Sequence, residues 1–93
     1  MKSDFDENKN SINIDKHGVS LVDIYDFEWE TAITKQDNRF DYSEERFISY
    51  GLKNKRLYVL VWTHRNGKVR PISFRKANLR ERRIYEKEKF CTD

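Results

Sequence analysis

The stretch from residue 65 to residue 83 concentrates side chains that bind phosphate. Eight of its residues are lysine or arginine, and only Glu81 is acidic. A guanidinium group donates two parallel hydrogen bonds to a phosphate, so clustered arginines suit a polyanionic ligand. Aromatic residues such as Tyr50, Tyr58 and Trp62 are able to stack on unpaired bases. The pattern predicts nucleic-acid binding, and the candidate binding residues are Arg65, Ser73, Lys76, Arg80 and Arg83.

A second set of residues has the chemistry needed to cleave RNA without a metal ion. That reaction requires a base for the ribose 2′-hydroxyl, an acid for the leaving oxygen and cations for the phosphate charge. The candidate catalytic residues are Glu45, Arg46, Arg75, His17 and Tyr85. Glu45 is one candidate for the base, and His17, with an ordinary pKa near 6.5, is the alternative. Tyr85 is interpreted as an acid or as a stacking platform.

Each candidate for proton transfer also has a purely structural interpretation. Glu45 beside an acidic and a basic neighbour is typical of a solvated ion pair, and His17 before a helix-ending glycine is typical of a partner for the helix dipole. His64, beside a predicted turn, is interpreted as an exposed residue without a role. The residue types therefore leave the identity of the base open.

Several other kinds of active site are missing from the sequence. It contains no nucleophile triad, no glycine-rich phosphate loop and no pair of metal-binding carboxylates. Two distant histidines and the single Cys91 argue against a zinc site and against a disulfide within the chain. The sequence thus predicts neither a metal nor a cofactor.

Length and composition predict one small folded domain over residues 1–93. Hydrophobic residues make up 37 % of the chain and charged residues 38 %, but the 14 % aromatic content argues against disorder. Residues 1–51 carry a net charge of −6 and residues 52–93 a net charge of +9, which favours a polyanionic partner for the second half. The longest apolar run covers only residues 57–62, and no secretion signal is evident. We expect a cytoplasmic protein that does not contact a membrane.

Three helices are predicted, two near the start of the chain and one near its end. The first covers residues 7–16 behind an Asp6 cap, and the second covers residues 21–28. The first is very polar and should lie shallowly on the surface, whereas the apolar residues of the second follow helical spacing and should face the core. The third begins after Asn78, which forms a capping box with Glu81.

Four strands are predicted between the second and third helices, over residues 31–36, 45–52, 57–62 and 68–75. The third strand is apolar on both sides, as expected for a strand that is covered on both faces. Asn66-Gly67 predicts a type I′ hairpin because both turn positions need a positive φ. Pro71 favours an edge position for the last strand.

The order of elements predicts an α+β fold, a small antiparallel sheet with two N-terminal helices and a C-terminal helix on one face. Alternation along the last strand directs Ile72 and Phe74 to the helix-covered core, and Ser73 and Arg75 to the opposite face. The other basic candidates are expected at the edges of that second face. The sheet would then present a single cationic surface.

Several blocks of the sequence resemble the signatures of a known family. The blocks are FDENK at residues 5–9, NIDKHGVS at residues 13–20, ERFI at residues 45–48 and ISFRKA at residues 72–77, followed by Glu81, Arg82 and Tyr85. On these residues the chain, from about residue 5 to residue 89, resembles the BrnT family of ribonuclease toxins of BrnT/BrnA type II toxin–antitoxin systems. Two departures are Phe5, where the family commonly has tryptophan, and the bulky Phe74.

The resemblance implies a RelE-like fold and an endoribonuclease that cleaves RNA and arrests growth when free. It also implies a partner, the ribbon-helix-helix antitoxin BrnA, in an assembly with two copies of each protein that binds operator DNA. Glu45, Arg46, Ser73 and Arg75 match motif positions, and His17 matches the first specific block together with its neighbouring lysine.

Two alternatives stay open beside the ribonuclease. One is a non-catalytic nucleic-acid-binding regulatory module, which would bind RNA in a salt-dependent way and leave it intact. The other is an interaction protein whose basic face meets an acidic protein partner.

Overall fold

The computed structural model describes residues 7–90, so the predicted Asp6 cap, Phe5 and Cys91 lie outside the described residues. It contains an α+β arrangement around one antiparallel sheet. In chain order the elements are α1 (Glu7–His17), a 3₁₀ helix (Leu21–Asp26), β1 (Glu28–Gln36), β2 (Phe47–Lys53), β3 (Arg56–Arg65), β4 (Lys68–Lys76) and α2 (Leu79–Phe90).

The four strands follow the chain order β1-β2-β3-β4 across the sheet. Asn66 and Gly67 have φ of 54° and 75°, which confirms the predicted hairpin between β3 and β4. The turn between β2 and β3 has the same character, since Asn54 and Lys55 have φ of 52° and 65°. The position of β4 at the edge of the sheet agrees with the expectation for Pro71.

One face of the sheet carries the hydrophobic core. The 3₁₀ helix and the residues around it cover this face, which we call the core face. The core cluster consists of Val19, Leu21, Ile24, Phe27, Tyr58, Leu60, Trp62 and Phe74. Gly51 also lies on this face, where a Cβ atom would stand 2.6 Å from the Phe27 ring. A side chain at this position would displace the phenylalanine, so glycine is required by packing.

The opposite face, which we call the open face, carries the other set of alternating side chains. Tyr50 lies opposite Ile33 on β1 and Val59 on β3, and Val59 lies opposite Arg75 on β4. Helix α2 packs against this face, because Tyr85 is buried and its hydroxyl donates a 2.6 Å hydrogen bond to the Thr31 carbonyl oxygen. The expectation that all helices lie on one face is therefore wrong, since α2 and the 3₁₀ helix pack on opposite faces.

Several predicted boundaries also change, including those of β2 and β3. The second helix is a short 3₁₀ helix that ends at Asp26, and β1 begins at Glu28 instead of Thr31. A bulge in β4 changes the pattern of the last strand, because Val61 pairs with Ser73 while Trp62 pairs with Pro71. Pro71 is consequently buried in the place expected for Ile72, whereas Phe74 lies in the core as predicted.

Helix α1 packs at the edge of β4 through one buried side chain. The Asn13 amide donates to the carbonyl oxygens of Val19 and Phe74 at 2.7 and 2.8 Å. Its side-chain oxygen accepts a 3.0 Å hydrogen bond from the Phe74 backbone N–H. Asn13 thereby pairs with an edge strand as a neighbouring strand would, which fixes the C-terminal end of α1 beside Phe74 and Arg75. Among residues 7–90, no helix is long and apolar enough to cross a membrane.

Candidate active site

The open face is organised in rows of side chains that run across the strands. The first row contains Ile33, Tyr50, Val59 and Arg75, and the second contains Lys35, Ile48, Val61 and Ser73. Helix α2 covers the first row with Glu81, Ile84 and Tyr85. Val61 in the second row is only half-buried, although its strand was predicted to be covered on both faces. Lys35, at the β1 end of the second row, is bonded to Glu88 of α2 at 2.8 Å, so the accessible floor next to Arg75 consists of the rest of that row.

Arg75 is held rigidly at the border between α2 and this floor. Its two terminal nitrogens donate to the Glu81 carboxylate at 2.8 and 2.7 Å. These hydrogen bonds raise the pKa of Arg75 and lower that of Glu81. The predicted capping box is confirmed, because Asn78 and Glu81 each accept from the other's backbone N–H. The start of α2 thus fixes the orientation of the Arg75 guanidinium group through an ion pair with Glu81.

His17 lies at the end of α1, on the same side of the molecule as Arg75. Together with Lys16, Ile72 and Ser73 it lines a groove between α1 and β4. Partial burial lowers the pKa of His17, and the positive charges of Lys16 and Arg75 lower it further. At neutral pH the imidazole is therefore uncharged and able to accept a proton. Of the two predicted candidates for the base, His17 is the one whose charge environment includes Arg75.

A third group of charged residues lies beyond the second row. The Asp37 backbone N–H donates to the Arg46 carbonyl oxygen and extends the pairing of β1 with β2. The buried Asp37 carboxylate accepts hydrogen bonds from the Arg39 guanidinium at 2.7 and 2.8 Å, and from the Tyr42 hydroxyl at 3.1 Å. Arg46 lies 4.1 Å above the Tyr42 ring. We call Asp37, Arg39, Tyr42 and Arg46 the Asp37 cluster.

The hydrogen bonds from Arg39 lower the pKa of Asp37 to about 2, so this carboxylate is charged at any physiological pH. Sequence reasoning missed Arg39. The available signal was the short Asp-x-Arg spacing at residues 37–39. It lies in a polar connection, where such pairs are usually solvated.

Glu45 is not beside Arg75. Its side chain is exposed, and its carbonyl oxygen accepts a hydrogen bond from the Thr63 hydroxyl. Arg75 lies opposite Val59, four residues earlier in β3, which corresponds to about 13 Å along the strand. The expectation of an acid–base residue next to Arg75 at this position is therefore wrong. Arg46 shares the open face with Arg75 but pairs with Glu44 at 3.2 Å, two rows away.

Tyr85 is a structural residue in this geometry. Its ring is buried under α2 and its hydroxyl is bonded to Thr31. The buried ring is not available to stack on a base, and the bonded hydroxyl is not free to act as an acid. Both expectations for Tyr85 are therefore wrong.

The remaining basic candidates spread over different surfaces. Arg65 is exposed at the hairpin end of β3, opposite Lys68. Lys76 lies opposite Tyr58 and therefore leaves the sheet on the core face. Arg80 and Arg83 are exposed on α2, whose sheet-facing positions are Glu81, Tyr85 and Glu88. The single cationic surface that was expected does not form from these residues, and only Ser73 joins Arg75. Within residues 7–90, no three histidine, cysteine or acidic side chains are grouped to hold a metal ion.

Comparison with known proteins places this chain in a family. The family model described as "Ribonuclease toxin, BrnT, of type II toxin-antitoxin system" matches residues 5–81. The chain is similar to the Brucella abortus ribonuclease toxin BrnT, known from a 1.1 Å crystal structure, with a TM-score of 0.67 and 26 % identity over 84 % of this chain and 97 % of that chain. No curated protein gives a significant match. Since the family model matches most of the chain, the protein belongs to the BrnT family of ribonuclease toxins of type II toxin–antitoxin systems.

Proposed function

We propose that the chain is a metal-independent endoribonuclease whose active centre is the end of the open face around Arg75. The observation that carries this proposal is the Arg75 guanidinium, locked by Glu81 beside an uncovered sheet surface and within the electrostatic reach of His17. A fixed cation of this kind stabilises the charge that develops on a phosphate. A neutral imidazole nearby supplies the base that RNA cleavage needs.

In the proposed reaction, His17 accepts the proton of a ribose 2′-hydroxyl. The 2′ oxygen attacks the adjacent phosphorus, the bond from phosphorus to the 5′ oxygen breaks, and the leaving oxygen takes a proton from solvent. The products are a 2′,3′-cyclic phosphate and a 5′-hydroxyl. Arg75 neutralises the additional negative charge on the phosphate oxygens. Ser73, on the next row of β4, is positioned to contact the same phosphate.

The family implies an antitoxin partner and an RNA target. We propose that the free chain arrests growth in the cytoplasm, and that a BrnA-like ribbon-helix-helix antitoxin neutralises it in an assembly of two copies of each that binds operator DNA. We also propose that the fold is RelE-like. The uncovered second row of the open face supports coverage by a partner, because it leaves Ile48 and Val61 half-buried.

The test is cleavage of an end-labelled RNA by the purified chain in EDTA. Arg75→Ala should lower the rate by about 10²–10³-fold, as expected for loss of one preorganised donor to the developing charge. Arg56→Ala is the matched control, because Arg56 is an exposed arginine at the start of β3, on the opposite face from Arg75. Circular dichroism and the melting temperature report whether each variant is folded.

Three outcomes contradict the proposal: intact RNA after long incubation with the folded wild-type chain, activity that disappears in EDTA, or an unaltered rate in Arg75→Ala. Salt-dependent binding of RNA that stays intact would instead identify a non-catalytic binding module.

A further inference from the structure

The Asp37 cluster has the features of a binding site for a second phosphate. Arg39 is bonded through two nitrogens to a carboxylate that is fully buried, while the arginine side chain itself is 61 % exposed. A surface ion pair usually leaves both partners mobile and contributes little. Here a buried anchor fixes the plane of an exposed guanidinium group, which lowers the entropic cost of binding an anion.

Tyr42 joins the two arginines of the cluster. Its hydroxyl donates to Asp37, and its ring lies beneath the Arg46 guanidinium. Two arginines, each paired with a carboxylate (Arg39 with Asp37 and Arg46 with Glu44), are thereby held around one aromatic ring. They lie on a segment that the sequence indicates only as a polar connection. Arrangements of this type bind single-stranded nucleic acid, because they supply cations for phosphates and a surface for a base.

The cluster and Arg75 lie on the same face of the sheet. Strand alternation assigns Lys35 and Asp37 to the open face, and the first and third rows are separated by four residues, or about 13 Å along the strands. Asp37 and Arg75 also lie at opposite edges of the sheet, about 14 Å apart across the four strands. The hydrogen bonds to Glu81 raise the pKa of Arg75, and the positive charge of Arg39 opposes this increase. Lys35, at the β1 end of the second row, is bonded to Glu88 of α2 at 2.8 Å, and the half-buried Ile48 and Val61 lie between the two guanidinium groups.

We propose that the Asp37 cluster is a subsite for single-stranded RNA, in which Arg39 and Arg46 bind a phosphate a few nucleotides away from the one that reacts at Arg75. The RNA would cross the second row, over Ile48 and Val61, between the two guanidinium groups. Asp37 acts as a positioning residue through Arg39. This inference rests on the proposed function for the identity of the ligand, and it adds the path of the substrate.

The experiment compares a long and a minimal RNA. The long probe is an eight-nucleotide RNA that has a single 2′-deoxy residue at the cleavage position, so that binding is measured without cleavage, and the minimal substrate is a dinucleotide. Arg39→Ala should weaken binding of the long probe by about 3–10-fold and reduce the slope of log affinity against log salt by about 0.7, the value for one single-strand phosphate contact. Cleavage of the dinucleotide should stay within twofold of wild type. Arg56→Ala is again the control.

Arg39→Ala leaves the buried Asp37 without its main partner, so a second variant separates loss of binding from loss of folding. Asp37→Asn/Arg39→Gln replaces the ion pair with two neutral polar side chains, which leaves no unpaired buried charge, and should show the same loss of binding. Unchanged affinity in both variants would overturn the subsite. An equal loss on the dinucleotide would place Arg39 at the reacting centre and overturn it as well. Binding of the long probe by a wild-type chain that cleaves no RNA would contradict the proposed function, while the subsite would still be judged from the affinities.

Discussion

His17 is the residue whose surroundings differ most from what its position in the sequence indicates. A histidine that ends a helix is stabilised in its charged form by the helix dipole. Burial and the charges of Lys16 and Arg75 act in the opposite direction and lower its pKa. The neighbours supplied by the fold therefore decide the charge state of this side chain.

This charge state predicts the pH dependence of RNA cleavage. The acid limb of kcat/KM should have an apparent pKa below 6.5, because the lowered pKa keeps the imidazole able to accept a proton in mildly acidic solution. His17→Gln should lose about 10²–10⁴-fold in rate, and the residual activity should lack that limb. A rate profile measured between pH 5 and 8 for both proteins decides the matter. An acid limb that persists unchanged in the variant would assign the base elsewhere.

Asp37 gives a second prediction, this time on stability. Its pKa in the folded chain is about 2, below the ordinary value of 3.8. A lowered carboxyl pKa contributes stability that is complete above the unfolded value and is lost as the pH falls through the folded value. Wild type should therefore exceed Asp37→Asn by about 1–3 kcal/mol at pH 5–7. The difference should disappear between pH 3.8 and about 2, as measured by urea unfolding. A difference already lost at pH 5 would be inconsistent with this pKa.

The sequence was sufficient to predict that Arg75 and Ser73 share one face of the sheet, because strand alternation alone assigns them to it. It was not sufficient for Arg39, whose importance depends on the burial of Asp37 and is invisible in a polar connection. Glu45 shows the reverse error. Glu45 matches a motif, but the pairing of β2 with β3 and of β3 with β4 separates it from Arg75 by about four residues along the strand direction.

At the scale of elements, the attachment of α1 depends on Asn13. Its side chain satisfies both the N–H and the carbonyl oxygen of Phe74, and the carbonyl oxygen of Val19. Asn13→Ala should destabilise the protein by about 2–4 kcal/mol, because buried polar groups lose their partners. The neighbouring Ile12→Ala, at a position 61 % exposed, should cost less than about 0.5 kcal/mol. Urea unfolding of both variants measures these values, and similar costs for the two would contradict this role of Asn13.

The two tight turns explain why one hairpin was predicted in detail and the other was not. Both adopt positive φ at their central positions, but only Asn66-Gly67 has the residue types that favour it. Lys55 adopts φ of 65°, which costs a residue with a Cβ atom about 1–2 kcal/mol.

Lys55→Gly should therefore stabilise the chain by about 0.5–1 kcal/mol, after allowing for the entropy of glycine in the unfolded state. Asn54→Gly is the matched comparison and should change stability less, since asparagine already tolerates this conformation. The urea midpoint of each variant is the measurement. A lower midpoint for Lys55→Gly would mean that the lysine side chain makes a contribution larger than the strain.

At the scale of the whole molecule, the distribution of charge along the chain differs from the distribution of charge over the surface. The second half of the sequence carries the positive charge, yet Arg39 and Arg46 of the acidic first half lie on the open face with Arg75. Arg80 and Arg83 of the basic half are exposed on α2. Counting charges by segment leads to the hypothesis of a polyanionic partner. It cannot locate the surface, because strand pairing brings cations of both halves together.

This distribution leads to a prediction about the salt dependence of RNA binding. If the open face holds the RNA, Arg39→Ala/Arg75→Ala should reduce the slope of log affinity against log salt by about 1.4, which corresponds to two single-strand phosphate contacts. Arg56→Ala/Lys87→Ala removes the same charge from exposed positions off the open face, so its slope should change by less than about half as much. Titrations of a non-cleavable RNA from 50 to 200 mM salt provide the slopes. Equal changes in the two double variants would show that RNA responds to the net charge of the protein, and the open face would then have no special part in binding.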